Sequence, residues 1–262
     1  MTSSRAGVAR ELVAFGRELE AQSAAQAGGF TGDTAAGGLI ESDPTAFLLG
    51  VLFTQGIPAE RAWAGPYELL QRLGSIDVDF IANNPQSVRA AFQTPPMLHR
   101  FKETLPRWIC SAACRLAEEY DGDASRIWPA GDHVLAVTER LLSFDGIGRK
   151  KAVMAVEILM RHFGVALQGR ECGQVAFDVH VRRVFLRSGL ADDDSIDAIE
   201  AAAAWACPEA PGTLDLATWL VGRDWCRPKS PRCSECRLGD VCARRVSLTP
   251  VGVGARGPVA RL

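Results

Sequence analysis

The chain has 262 residues, of which 47% are hydrophobic and 23% charged, and its formal net charge is −2 at pH 7. These values are ordinary for a globular protein with one large or two small domains, and the net charge provides no bulk attraction to nucleic acid. The sequence lacks a run of about 18 apolar residues and lacks an N-terminal apolar block followed by a cleavage site, so we expect a cytoplasmic protein with no membrane partner.

The N-terminal part of the chain predicts two helices separated by a flexible connection. The first helix is expected from about Val8 to Gln22, and residues 21–38 are rich in the small residues typical of a flexible segment. Asp43 and Pro44 then suit an N-cap and a first helical turn, and an apolar run from Phe47 to Phe53 follows them.

Two later segments carry apolar residues at steps of three and four, which is the periodicity of amphipathic helices. The first segment comprises Leu98, Phe101, Leu105, Trp108, Ala112 and Leu116, and the second comprises Val153, Val156, Leu159 and Phe163. No convincing run of alternating β-branched residues indicates a strand, so the predicted fold class is all-α. Residues 246–262 are expected to form a disordered tail.

Four of the eight cysteines are crowded near the C-terminus in the pattern Cys-x6-Cys-x2-Cys-x5-Cys. These residues are Cys226, Cys233, Cys236 and Cys242, and four thiolates so close in sequence can surround one metal centre. Structural zinc sites usually have two short Cys-x2-4-Cys pairs, whereas this pattern has one short pair with longer arms, which favours a four-iron four-sulfur cluster over zinc. The remaining cysteines are interpreted as ordinary thiols: Cys110, Cys114, Cys172 and Cys207.

Basic residues surround these four cysteines. Residues 222–245 contain seven arginine or lysine residues against three acidic ones. They either offset the negative charge of the thiolates or contact DNA phosphates, and both roles are compatible. The candidates for DNA contact in this loop are Arg227, Lys229 and Arg232.

A possible phosphate-binding hairpin lies between two predicted helices, from Phe144 to Lys151. Gly146 and Gly148 permit left-handed backbone conformations and a close approach of another backbone, and the following helix offers free N–H groups to an anion. Taken alone, a Gly-x-Gly between helices is more often a simple turn.

A third motif, from Phe177 to Val184, places Asp178 where it can cap a helix that begins near Val179. An aspartate at a helix N-terminus is also a positioned, ionised carboxylate. Capping and catalysis therefore remain joint possibilities for Asp178.

In this order, the Gly-Ile-Gly-Arg-Lys hairpin, the Phe-Asp-Val-His-Val segment and the four cysteines resemble the endonuclease III family of helix-hairpin-helix DNA glycosylases. The resemblance runs from about Asp43 to Cys242. It implies two lobes, one with the hairpin (43–164) and one with the cluster (165–245), the N-terminal segment (1–42) packing with the second. Duplex DNA would bind where Lys150 and Asp178 meet, and the protein would be a monomer.

The resemblance also implies an activity on damaged bases and abasic sites in duplex DNA. Lys150 matches the catalytic lysine of the family, Asp178 its catalytic aspartate, and the four cysteines its four-iron four-sulfur ligands. A lysine amine attacks the sugar C1′, expels the base and leaves a Schiff base that undergoes β-elimination. The expected activity is therefore that of a bifunctional glycosylase and abasic-site lyase on oxidised pyrimidines.

Several residues are expected to contact DNA by the same resemblance. Gln55 matches the glutamine that fills the gap left by an extruded base, and Met97 and Leu98 match an apolar wedge, although core packing at a helix start is the favoured interpretation of these last two residues. The other expected DNA-binding residues are Gly146, Gly148, Arg149, His180, Arg227, Lys229 and Arg232.

The chain departs from the family pattern at three places, which leaves the base preference open. Asp145 stands where the family usually has proline, Gly56-Ile57-Pro58 replaces a polar segment, and the stretch between Lys150 and Asp178 is longer, with the insertion at GRECGQ. The alternatives are a monofunctional mismatch or adenine-type glycosylase and a non-catalytic iron-sulfur DNA-binding module. The adenine type is a poor match because residues 47–54 contain no carboxylate.

Overall fold

The computed structural model describes residues 4–23 and 31–247. Within these ranges the fold is all-α, as predicted, and no single helix is long and apolar enough to cross a bilayer. The predicted tail lies outside the described residues from position 248 onward, and so does part of the predicted flexible connection, residues 24–30. The helices are α1 (Arg5–Ser23), α2 (Thr34–Ser42), α3 (Pro44–Phe53), α4 (Ala59–Leu73), α5 (Val78–Asn83), α6 (Pro85–Gln93), α7 (Thr104–Glu119), α8 (Val134–Leu142), α9 (Arg149–Arg161), α10 (Val179–Ser188), α11 (Ile196–Ala206) and α12 (Leu214–Asp224).

The chain divides into two compact units. One comprises the residues up to Leu19 together with those from Gln174 onward, and the other runs from Glu20 to Gly173. The sequence-based boundaries were residues 43 and 164. The unit that runs from Glu20 to Gly173 begins before residue 43 because α2 packs against α3 and α4.

The core of the unit from Glu20 to Gly173 is built around α3. Every residue of α3 from Ala46 to Phe53 is buried, and Phe47 packs against the rings of Trp63, Trp128 and Phe163. The predicted start of α3 is confirmed, since Asp43 Oδ1 accepts hydrogen bonds from the Thr45 and Ala46 amides at 2.8 and 3.3 Å. The start of this buried helix is therefore fixed by its own N-cap.

Two predicted elements differ from the structure. Residues 34–38 belong to α2 instead of a flexible connection, because Asp33 Oδ1 accepts hydrogen bonds from the Ala35 and Ala36 amides and starts a helix there. The helix predicted from Leu98 begins only at Thr104. Leu98 nevertheless contributes to the core, from a loop in which His99 Nδ1 accepts the Phe101 amide hydrogen at 3.1 Å.

The other unit packs α1 with α10, α11 and α12 around a smaller core. Val8 and Leu12 of α1, Phe185 of α10, Ile199 of α11 and Leu214 of α12 are all fully buried there. Leu238 and the partly buried cysteines 226, 236 and 242 pack against the same core. The cysteine loop is thus anchored to a packed helical unit.

Candidate functional site

The hairpin before α9 depends on a close contact between Gly146 and Trp108. Gly146 has a φ of +81°, and a Cβ added to it would lie 2.4 Å from the Trp108 ring. Gly148 does not use the left-handed region, since its φ is −92°, and it forms the N-cap of α9 with open space around it. Only Gly146 therefore requires glycine on conformational grounds.

Asp145 anchors this hairpin to α7. The Ser111 hydroxyl donates a hydrogen bond to Asp145 Oδ2 at 2.8 Å. A carboxylate at this position is thus used in a contact within the unit, although it also brings negative charge to the hairpin.

The first turn of α9 carries the candidate catalytic lysine. Arg149 and Lys150 are exposed there, whereas Lys151 is buried. Lys151 Nζ donates to the Leu52 carbonyl at 2.8 Å and lies 5.7 Å from the centre of the Trp108 ring. Burial, and secondarily repulsion from Lys150, lowers the pKa of Lys151 to about 8.

The loop after α3 places Gln55 close to the segment around His99. Gln55 is half-buried, and it is followed by Gly56, whose carbonyl accepts a hydrogen bond from Arg100 Nη1 at 3.3 Å. His99 is only 1% exposed and packs edge-on against Phe53 at 5.9 Å between ring centres. Burial lowers the pKa of His99, while the backbone of Phe53 and Gln55 acts in the opposite direction.

The two predicted wedge residues have different environments. Met97 is 39% exposed, whereas Leu98 is 3% exposed and belongs to the core. The loop that presents Met97 is held by arginines, since Arg61 Nη2 donates to the Met97 carbonyl at 3.0 Å and Arg72 donates to the carbonyls of Ala91, Thr94 and Pro96. Of the two, only Met97 is exposed at the surface.

In the other unit, Asp178 caps α10 as predicted. Its Oδ1 atom accepts hydrogen bonds from the amides of His180 and Val181 at 2.7 and 2.9 Å. His180 is half-buried, lies 3.1 Å from Arg183 Nη2 through its Nδ1 atom, and packs edge-on against Trp219. Asp178 is consequently fixed by the start of a helix.

The four clustered cysteines line one cavity with Arg187 and Leu238. In this described stretch of the chain, no three of their sulfur atoms lie within 4.8 Å of one another, whereas tetrahedral zinc with bonds of about 2.3 Å would hold its sulfurs about 3.8 Å apart. The Arg244 amide donates to Cys242 Sγ at 3.3 Å, and Arg187 Nη1 lies 3.9 Å from Cys226 Sγ. Four thiol donors with N–H contacts to sulfur are the ligand chemistry that a four-iron four-sulfur cluster takes.

The basic residues around the cysteines fall into two groups. Arg227 and Lys229 are exposed. Arg232 is also exposed but forms an ion pair with Glu235 at 3.1 Å and donates to the Asp224 carbonyl. Arg237 and Arg245 pair with Glu18 and Asp192. Part of the local positive charge is therefore offset by ion pairs within the unit.

A further group of ligand-type side chains lies at residues 169–174 and at the start of α8. Donor atoms of His133, Glu171 and Cys172 lie within 4.8 Å of one another. His133 Nδ1 accepts the Leu135 amide hydrogen at 3.2 Å, and a Cβ added to Gly169 would lie 2.1 Å from His133 Nε2. Nδ1 is thus bonded to backbone and the ring lies close to Gly169, so this group joins residues 169–172 to the start of α8.

Comparison with known proteins supports the resemblance. No family profile matches the chain. The chain is 29% identical over 129 residues to endonuclease III of Bacillus subtilis (strain 168), a match that covers 48% of this chain and spans only about half (50%) of that relative. A trapped covalent intermediate of endonuclease III with DNA has a similar structure, with a TM-score of 0.57 and 22% identity over 77% of this chain and 84% of that one. A thermostable thymine-DNA glycosylase aligns with a TM-score of 0.61 and 12% identity over 93% of this chain and 97% of that one.

The chain thus has the fold of these two proteins, and part of its sequence is similar to endonuclease III. Within this fold, Gln55, Met97 and the hairpin belong to one unit, whereas Asp178 and the cysteines belong to the other.

Three buried residues have contacts near these sites that were not predicted from the sequence: Lys151, Arg183 and Arg187. Arg187 donates to the carbonyls of Arg227 and Pro228 at 2.8 and 2.9 Å, so it holds the basic loop. Arg183 and Arg187 lie four residues apart on α10, the helix that Asp178 caps. This i,i+4 spacing is the sequence feature that could have indicated these two contacts.

Proposed function

We propose that the chain is a DNA glycosylase with abasic-site lyase activity, which removes oxidised pyrimidines from duplex DNA. The observation that carries the proposal is the exposed Lys150 on the first turn of α9, directly after the Gly-Ile-Gly hairpin. The similar structures support DNA as the substrate class, since one is a covalent endonuclease III–DNA intermediate and the other a thymine-DNA glycosylase.

In the proposed reaction, the neutral Lys150 amine attacks C1′ of the damaged nucleotide. The C1′–N bond breaks, and the base leaves with the electron pair and takes up a proton. The amine then loses a proton, and the C1′–O4′ bond of the sugar ring breaks, with O4′ taking up a proton, as the Schiff base forms. Loss of a C2′ proton then breaks the bond to the 3′ phosphate by β-elimination. The aldehyde form of the sugar is released when water hydrolyses the Schiff base.

Asp178 is proposed to stabilise the positive charge that develops on the sugar. Its Oδ1 atom accepts two backbone hydrogen bonds, which fix the orientation of the carboxylate. A fixed negative charge needs no reorganisation when the sugar becomes cationic, which is why such a group accelerates the reaction.

DNA binding is proposed to use the hairpin, the loops after α3 and α6, and the exposed part of the basic loop. The N–H groups of α9 and the cations Arg149, Arg227 and Lys229 would contact phosphates. Gln55 would fill the space of the extruded base, with Met97 beside it. Cys226, Cys233, Cys236 and Cys242 would hold a four-iron four-sulfur cluster, which would tie the basic loop together and stabilise the unit when bound.

A second candidate function is base removal without strand cleavage. It is supported by the thymine-DNA glycosylase structure, which aligns with 93% of this chain. Borohydride trapping on duplexes with an abasic site, thymine glycol, uracil or oxidised guanine separates the candidates. The lyase proposal expects a trapped covalent adduct and cleaved strands. Base loss without an adduct supports the second candidate. If neither base loss nor an adduct is detected, both candidate functions are contradicted.

A further inference from the structure

Lys151 is a buried lysine that the proposed reaction does not use. Its side chain is 7% exposed and its amine donates to the Leu52 carbonyl at 2.8 Å. Removing an ammonium group from water costs free energy unless a partner offsets the loss of hydration. The position of this lysine therefore points to a role inside the unit.

The Leu52 carbonyl lies at a place that needs such a partner. It belongs to the last turn of α3, which is buried and has no basic residue in that turn. The last carbonyls of a helix lack donors within the helix and carry the negative end of its dipole. From the first turn of α9, Lys151 supplies both a donor and a positive charge to this end of α3.

This contact connects the hairpin with the Gln55 segment. Trp108 packs against Gly146 of the hairpin, and the Lys151 amine faces the same ring. On the other side of the contact, α3 ends at Phe53, and Gln55 follows two positions later. A single buried amine thus joins the base of the hairpin to the start of the loop that carries Gln55.

We propose that Lys151 is a positioning residue, which fixes the Gln55 segment relative to the hairpin. This rests on the proposed function, in which Gln55 fills the gap left by the extruded base. Without the amine, the Gln55 segment loses its anchor while Arg149 and Lys150 stay exposed. Extrusion of the damaged base is then slower, whereas the affinity for undamaged duplex is retained.

The test compares Lys151→Met with Arg10→Met, which removes a cation from an exposed position of α1. Hydrogen–deuterium exchange is measured over residues 51–58 of the free protein. Base extrusion is followed by the fluorescence of 2-aminopurine beside a tetrahydrofuran abasic-site analogue. We expect Lys151→Met to increase the exchange and to slow extrusion about tenfold, with affinity for undamaged duplex within about twofold of the unmutated protein. The control should change none of the three.

Unchanged exchange or unchanged extrusion in Lys151→Met would overturn the proposal, as would an equal loss of extrusion and of undamaged-duplex affinity. If Lys151→Met does not fold, the proposal is tested with Lys151→Gln, which retains an N–H donor, by the same measurements. Amine acylation of the unmutated protein should label Lys150 and spare Lys151, and equal labelling would also overturn the proposal. Exchange and labelling require no catalysis, so their outcome is independent of whether Lys150 forms an adduct.

Discussion

Lys150 and Lys151 are neighbours in sequence but have opposite environments: Lys150 is exposed, whereas Lys151 donates a buried hydrogen bond to Leu52. Consecutive residues of an α-helix are rotated by about 100°, so two adjacent side chains lie on different faces. This rotation leaves Lys150 exposed for the proposed attack on DNA and gives Lys151 an internal contact.

Stability should depend on pH through Lys151. Its pKa is lowered to about 8 from an ordinary value of 10.5, so between these values the unfolded chain binds more protons at this residue than the folded chain, and the free energy of unfolding rises with pH. Below pH 8 the amine is charged in both states and the burial cost is fully present. Denaturant titrations should show the free energy of unfolding of the unmutated protein rising, relative to Lys151→Met, on the order of 1 to 3 kcal/mol across this window. A difference that stays flat would argue against a buried amine.

Substitutions at Asp178 should separate capping from catalysis. Asparagine can still accept the His180 and Val181 amide hydrogens but carries no charge, so Asp178→Asn should lower base excision about 100-fold and leave the melting temperature nearly unchanged. Asp178→Ala should lose the same activity and in addition about 1 kcal/mol of folding free energy. Single-turnover excision and thermal melting check both expectations, and full activity in Asp178→Asn would remove the proposed charge effect.

The cysteine cavity predicts a bound iron-sulfur centre. Protein purified without oxygen should be brown and contain about four irons per chain. Cys233→Ala should lose the iron and much of the stability, whereas Cys110→Ala, at a partly buried cysteine of α7, should keep the iron. Metal analysis and visible absorption measure this directly, and zinc in place of iron would disprove it.

Gln55 and Lys229 should affect DNA binding in different ways. Gln55→Ala should impair processing at a lesion with little effect on undamaged duplex. Lys229→Ala removes an exposed cation, so it should weaken binding to all duplexes and reduce the slope of log K against log salt by about 1. Affinities at several salt concentrations provide the test. An unchanged slope in Lys229→Ala would place the basic loop outside the DNA interface.

Features set by local chemistry were predictable from the sequence. Asp43 and Asp178 cap α3 and α10 where expected, because an N-cap depends only on amides two or three residues away. The all-α class followed in the same way from short-range periodicity.

Features set by distant contacts were not predictable. Lys151 is buried by Leu52 and Trp108, which are remote in sequence, and a lysine in a first helical turn is otherwise expected to be solvated. Leu98 fits a helical pattern, yet it reaches the core from a loop. α2 begins within a segment of small residues because Asp33 caps its first turn. The effect of this cap outweighs the weak helix propensity of the glycines in α2.

The most direct test of the account is to locate the amine that becomes covalently attached to DNA. The protein is trapped with borohydride on an abasic-site duplex and digested, and the modified residue is identified by mass spectrometry, with Lys150→Ala and Lys151→Met treated in parallel. The account predicts an adduct at Lys150, no adduct in Lys150→Ala, and a slower but still formed adduct in Lys151→Met. An adduct at Lys151, or trapping that persists in Lys150→Ala, would contradict it.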